Sequence, residues 1–239
     1  MFAILFASRS GSTWLGQLLG STGLVNDVRE WMRPALLTRK AKQMGESDLA
    51  AVAAGMMADK AANGRFGFKG GIAALVPFIL SCAFSSYRDN FRVVLLRRED
   101  VAMQAISLHK ARLQRKFTLT AREKVRKKLE VDRSAYDFHQ ILGHVRTIGT
   151  VNDLLAEFAE LNELPSLTIY YEDLVEDTPG VIGQVLGHLG LDSAAAVGLT
   201  ASNVIQRDEV NEAWRARFLQ DLARRPRDRE LVERLSRRV

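Results

Sequence analysis

The stretch "FASRSGSTWLGQLLGSTG", residues 6–23, decides how the rest of the chain is read. It closes the apolar run "FAILFAS" at 2–8, passes through the small polar turn "SRSGST", and continues with Trp14, Leu15, Leu18 and Leu19 at helical spacing. A strand, a tight turn and a helix in that order set backbone N–H groups at the helix start, where the helix dipole favours phosphate or sulfate. Gly11 lets the backbone approach such an anion, Ser12 and Thr13 offer hydroxyl donors, and Arg9 adds a planar cation. The turn is not a Walker A loop, because that pattern needs a lysine beside the closing Ser/Thr and none stands between Arg9 and Gly23. Taken alone, the stretch fits both an oxyanion cradle and a serine-capped strand-to-helix turn with an incidental arginine.

Working outward, "FRVVLLRR" at 91–98 and "SLTIYYEDL" at 166–174 read as two further buried strands, each running into polar or charged residues. Helical patterns fall at 12–22, 48–62, 72–84, 100–115, 150–163, 178–189 and 208–222. Strands alternating with helices imply an α/β fold, with a parallel sheet covered on both faces and ligands at the carboxyl ends of its strands. Arg9 and Arg98 stand at two such ends. The segment 110–134, "KARLQRKFTLTAREKVRKKLEVDRS", is densely basic and reads as a helical excursion or flap. It is open to two roles: a solvated helix face, or a surface for an acceptor, a partner or a membrane. The tail "ARRPRDRELVERLSRRV" at 223–239 reads as a peripheral helix.

Composition narrows the class without choosing the ligand. With 239 residues, 47% of them hydrophobic, the chain can bury a substantial core and reads as one domain. Its 34 Lys and Arg against 28 Asp and Glu leave a net charge of +6, which suits an anionic ligand, an anionic surface or nucleic acid equally. The lone Cys82 excludes an internal disulfide framework and points to a reducing compartment. The opening "MFAILFASRSGSTWL" has no cationic leader, and no run approaches the length needed to span a membrane, so a cytoplasmic protein is the expectation. Four scattered histidines, at 109, 139, 144 and 188, give no metal-ligand spacing, and no metal is expected.

A second arginine-ended strand, "LLRREDVAMQAISLHKA", leads into a helix starting at Asp100 with Ser107 about two turns in. Together, "SRSGSTWL" and "RREDVAMQAISL" resemble the two cofactor motifs of sulfotransferases, and within them the bacterial trehalose sulfotransferase and Nod-factor or lipopolysaccharide sulfotransferase group. "VREWM" at 28–32, "FGFKGG" at 66–71, "IYYEDL" at 169–174 and "IQRDEVNEAWRARF" at 205–218 resemble further elements of that group in the same order, so the likeness spans nearly the whole chain. It implies a three-layer P-loop-like fold around a mainly parallel sheet, and 3′-phosphoadenosine 5′-phosphosulfate (PAPS) as sulfonate donor. By that resemblance Arg9, Ser10, Gly11, Ser12 and Thr13 hold the 5′-phosphosulfate, while Arg98 and Ser107 hold the 3′-phosphate. Glu30 is the base that takes the acceptor's proton, and a homodimer is implied. The sequence departs from the group at 32–65, which is short, and at 112–134, which is unusually basic. Trehalose itself is therefore not carried over, and the acceptor is read as a carbohydrate, glycolipid or other small molecule.

Several residues keep two readings. Arg97 competes with Arg98, since neighbouring strand residues face opposite ways; Arg98 is preferred for its spacing to Ser107. Lys69 reads equally as a sulfonate or acceptor ligand and as a surface charge at a strand end. Gln206 and Arg207 precede the last long helix pattern and could touch adenosine or the 3′-phosphate. Trp14 and Trp214 read chiefly as core residues, with adenine stacking the lesser reading for Trp214. Tyr171, Glu172 and Asp173 read as fixing the sheet's end. Two rivals stand beside the sulfotransferase. A P-loop-like kinase would need a loop lysine and acids for Mg²⁺. A nucleic-acid binder would use the basic segments but would leave the two arginine-ended strands unexplained.

Overall fold

The structure, a computed structural model, describes residues 1–80, 83–114, 135–199 and 209–236. Cys82, Gln206, Arg207 and most of the basic segment lie outside these residues. The chain divides into two compact units, Met1–Arg97 with Val151–Asn203, and Arg98–Thr150 with Val204–Val239.

The first unit is built on a four-stranded sheet of β1 (Phe2–Phe6), β2 (Gly67–Gly70), β3 (Arg92–Arg97) and β4 (Ser166–Tyr170), in the order β2-β1-β3-β4 with every pair parallel. Parallel neighbours need crossovers, and the chain supplies helices for them. The register aligns Phe2 with Gly67 and Arg92, and Ile4 with Lys69 and Val94. Since side chains alternate across a strand, this parity sorts the two faces. On one face Ala3, Leu5, Phe68, Val93 and Leu95 pack with α2 (Pro34–Met44), α3 (Leu49–Lys60), α4 (Ile72–Leu80) and the second half of the long α7 (Phe138–Leu161). Phenylalanines 68, 78 and 91 stack within this layer, with centroids 5.2–6.4 Å apart. On the other face Phe2, Ile4, Val94, Leu96 and Ile169 pack with α1 (Ser12–Ser21), α8 (Tyr171–Glu176) and α9 (Thr178–His188). The result is the three-layer α/β arrangement expected from alternating strands and helices.

Two local readings change. The third apolar run is not a strand to residue 174, because the strand stops at Tyr170 and "YEDLVE" winds into α8. The strand that the resemblance places at "FGFKGG" is observed as the edge strand β2, four residues long and half glycine. Helix α2 went unread although it carries both end signals, Pro34 at its first position and Gly45 beyond its end at φ 64°.

The second unit gathers α6 (Val101–Leu113), the first half of α7, α10 (Glu209–Ala223) and α11 (Pro226–Leu235). Trp214, Phe218 and Leu222 recur at four-residue spacing to form the buried stripe of α10. Trp214 is 2% exposed and packs on the rings of His109 and Tyr136, so the core reading of this residue holds.

Candidate active site

The site begins where β1 ends. After Ala7 the chain turns through Arg9 at φ 67° and Gly11 at φ 89°, both in the left-handed region, and α1 starts at Ser12. A non-glycine residue there costs on the order of 1–2 kcal/mol, so Arg9 is a strained position within the turn. Gly11 is needed on two counts. Its φ suits glycine, and a Cβ on it would stand 2.5 Å from Cδ2 of Tyr171. The Tyr171 ring also meets Trp14 edge-on at 6.0 Å, so the first residue of α8 braces the turn from the side.

The helix start is left open. Gly11, the N-cap, has no side chain to cap with, and the first helical bonds run from the N–H groups of Trp14 and Leu15 to the Gly11 carbonyl. The amides of Ser12 and Thr13 therefore precede the first closed turn of α1. Beside them Ser10 is 1% exposed, and its buried hydroxyl has no hydrogen-bond partner among the described residues. Leaving such a group unpaired costs about 1–3 kcal/mol. The buried hydroxyl, the amides at the helix start and Arg9 form a donor set suited to an oxyanion.

Lys69 supplies a lysine where the turn's own sequence has none. Its place opposite Ile4 puts it on the α1 face of the sheet, where Nζ donates to the Thr13 hydroxyl at 2.8 Å and lies 5.6 Å from the Phe6 ring centroid. The side chain is buried, with the residue 6% exposed, so the surface-charge reading is set aside. Burial lowers its pKa from the ordinary lysine value, while the carboxylates of Glu30 and Asp27 pull it back up.

Glu30 reaches this neighbourhood because the chain returns from α1 along the open edge of β2. The Asn26 amide pairs with both backbone groups of Gly67, donating to its carbonyl at 2.9 Å and accepting from its N–H at 2.6 Å. The Lys69 N–H then donates to the Arg29 carbonyl at 2.9 Å. Gly16 lets this return segment lie against α1, since a Cβ there would sit 2.6 Å from the Val28 carbonyl oxygen. Glu30 is exposed at the end of this stitched segment. Sequence reasoning missed Asn26, whose signal was no more than a buried-type position held by an amide.

At the end of β3 the two arginines part. Arg97 lies on the face of Val93 and Leu95 and donates through Nη2 to the Asn152 carbonyl at 3.4 Å, which gives it a structural partner. Arg98 opens the second unit, followed by Asp100, which caps α6 by accepting from the Met103 N–H at 2.8 Å. Ser107 is half-buried on α6. Among the described residues no group of three or more His, Cys, Asp or Glu is placed to hold a metal ion. No helix among them is long and apolar enough to cross a membrane.

Residues 84–221, more than half of the chain, match the family described as Stf0 sulphotransferase. The chain belongs to the Stf0 sulphotransferase family. The match takes in β3, α6, β4 and α10, hence the second arginine-ended strand and the helix that follows it. The amino-terminal cradle precedes the matched residues. Among solved structures, this Stf0 chain is similar to the sulfotransferase domain of the Synechococcus PCC 7002 olefin synthase, at 17% identity and TM-score 0.50, covering all of this chain and 95% of that one. It is also similar to a sulfotransferase from Alicyclobacillus acidocaldarius, at 16% identity and TM-score 0.48, covering all of this chain and 96% of the other. The first of these likenesses shows the shared P-loop-like fold. The comparison with curated proteins gave no match.

Proposed function

We propose that this Stf0 sulfotransferase takes its sulfonate from PAPS and passes it to a hydroxyl of a carbohydrate, glycolipid or other small acceptor, with Glu30 as general base. One observation carries the reading: a buried Ser10 hydroxyl with no partner among the described residues, at a helix start that Gly11 leaves without a side-chain cap. A kinase reading gains nothing from it, since the lysine at the cradle, Lys69, comes from a neighbouring strand and not from the loop itself.

PAPS would supply an activated sulfonate on a phosphate leaving group. Arg9, Ser10, Gly11, Ser12 and Thr13 would surround that phosphosulfate with donors, and such donors act most strongly where charge develops. Lys69, held on Thr13, would bring its ammonium to the same end of the cradle. Glu30 would accept the acceptor's proton, a role worth typically 10²–10⁴-fold. Arg98 and Ser107 would bind the 3′-phosphate, with Gln206 and Arg207 beside adenosine. The partners proposed are a small-molecule, carbohydrate or lipid acceptor, a second copy of the chain and an anionic membrane surface, and no nucleic acid.

The test is calorimetric titration with 3′-phosphoadenosine 5′-phosphate, the desulfated product. Wild type should bind saturably, and Arg9→Ala and Arg98→Ala should each weaken that binding at least tenfold, about what one charged hydrogen bond is worth. Glu30→Gln should bind the nucleotide as wild type does and lose about 10²–10⁴ in kcat on an acceptor found by labelled-sulfate screening. A folded wild type that binds no nucleotide would sink the assignment.

A further inference from the structure

Asp100 does two jobs in the second unit. One carboxylate oxygen accepts from the Met103 N–H at 2.8 Å and caps α6, and the other accepts from Arg215 Nε at 2.9 Å. Both side chains are partly exposed, Arg215 at 40% and Asp100 at 32%. Arg215 follows the buried Trp214 on α10, whose indole packs on His109 further along α6, so α10 lies against the helix that Asp100 caps.

This arrangement bears on anion binding at that end of α6. An aspartate at the N-cap spends the favourable end of the helix dipole on its own charge. Arg98 lies two residues before it, so their Cα atoms are at most about 7.6 Å apart. A bare carboxylate at that distance would repel any dianion gathered by Arg98.

We propose that Arg215 is a positioning residue for the 3′-phosphate: by pairing with Asp100 it cancels the cap's charge and lets Arg98 and Ser107 receive a dianion. The inference rests on the proposed reading of Arg98 and Ser107. It adds that discrimination for the 3′-phosphate is set by a residue that need not touch it.

Two probes separate these claims, 3′-phosphoadenosine 5′-phosphate and adenosine 5′-phosphate, which lacks the 3′-group. Titration of the full chain gives the ratio of their Kd values. Arg215→Ala should raise the Kd of the bisphosphate, and with it the ratio of bisphosphate to monophosphate Kd, about tenfold, with adenosine 5′-phosphate changed less than twofold. Asp100→Asn keeps a capping side chain and removes the charge, so it should hold the ratio within about threefold of wild type. The double variant, with no carboxylate left to neutralise, should recover most of what Arg215→Ala loses, and this also separates charge from folding. A ratio unchanged in Arg215→Ala, an equal loss for both probes, or a double variant no better than the single one would overturn the role of Arg215 while leaving the wild-type preference intact. A wild type that does not distinguish the probes would overturn the 3′-phosphate reading and this inference with it.

Discussion

Two strand-to-helix turns follow adjacent parallel strands in this chain, and they finish their helices in opposite ways. After β1 the N-cap is Gly11, with no side chain, and the amides that follow stay open beside the Ser10 hydroxyl. After β3 the N-cap is Asp100, whose carboxylate closes the first turn of α6 itself. The first turn leaves its helix start to main-chain donors, whereas the second spends its helix end on its own carboxylate. Under the proposed function, an anion is met by main-chain donors at one turn and by side chains at the other, and the residue at the N-cap decides which.

The largest blow to this contrast should come from Gly11→Ala. A methyl there meets the Tyr171 ring and forces alanine to φ 89°, costing roughly 1–2 kcal/mol for the backbone alone. Displacing the turn by about an ångström should weaken 3′-phosphoadenosine 5′-phosphate binding on the order of a hundredfold, read by calorimetry. Ser10→Ala should be gentler and more telling. Its hydroxyl has no partner among the described residues, so thermal unfolding should be unchanged or slightly improved while nucleotide affinity drops about tenfold. Lower stability with unchanged affinity would mean the hydroxyl belongs to the fold and not to an anion site. Asp100→Ala is the mirror experiment. Loss of a side-chain cap should cost about 1 kcal/mol and lower Tm by roughly 2–4 °C in a chain of this size. Asp100→Asn should lose less than half of that by the same melting curves, because an asparagine still caps.

How much of this could be read from the residues follows the same division. The cradle was legible because strand, turn and helix are contiguous, and a local pattern needs no knowledge of packing. The layered fold was legible from "FAILFAS" and "FRVVLLRR", whose apolar runs leave little choice but burial. Lys69 was not decidable, because its burial depends on which residue of β1 it faces, and only the register with Ile4 sets that. The partner of Arg97 was equally out of reach, since the Asn152 carbonyl lies on a helix more than fifty residues away. The YEDL segment misled because an apolar run can pass from strand to helix without a break when the same side of the chain stays buried. Asp100 and Arg215 were silent for a related reason: a cap and an ion pair sharing one carboxylate leave no spacing pattern behind.

The lysine at the cradle is borrowed from the edge of the sheet. Its presence therefore depends on a four-residue strand that is stitched to the rest by Asn26 on one side and β1 on the other. That strand is buried along its whole length and carries Phe68, fully out of solvent against Phe78 and Phe91. The ammonium is therefore anchored at Thr13 by the aromatic layer on the opposite face of the sheet, and a change that loosens those rings reaches the cradle through one peptide bond.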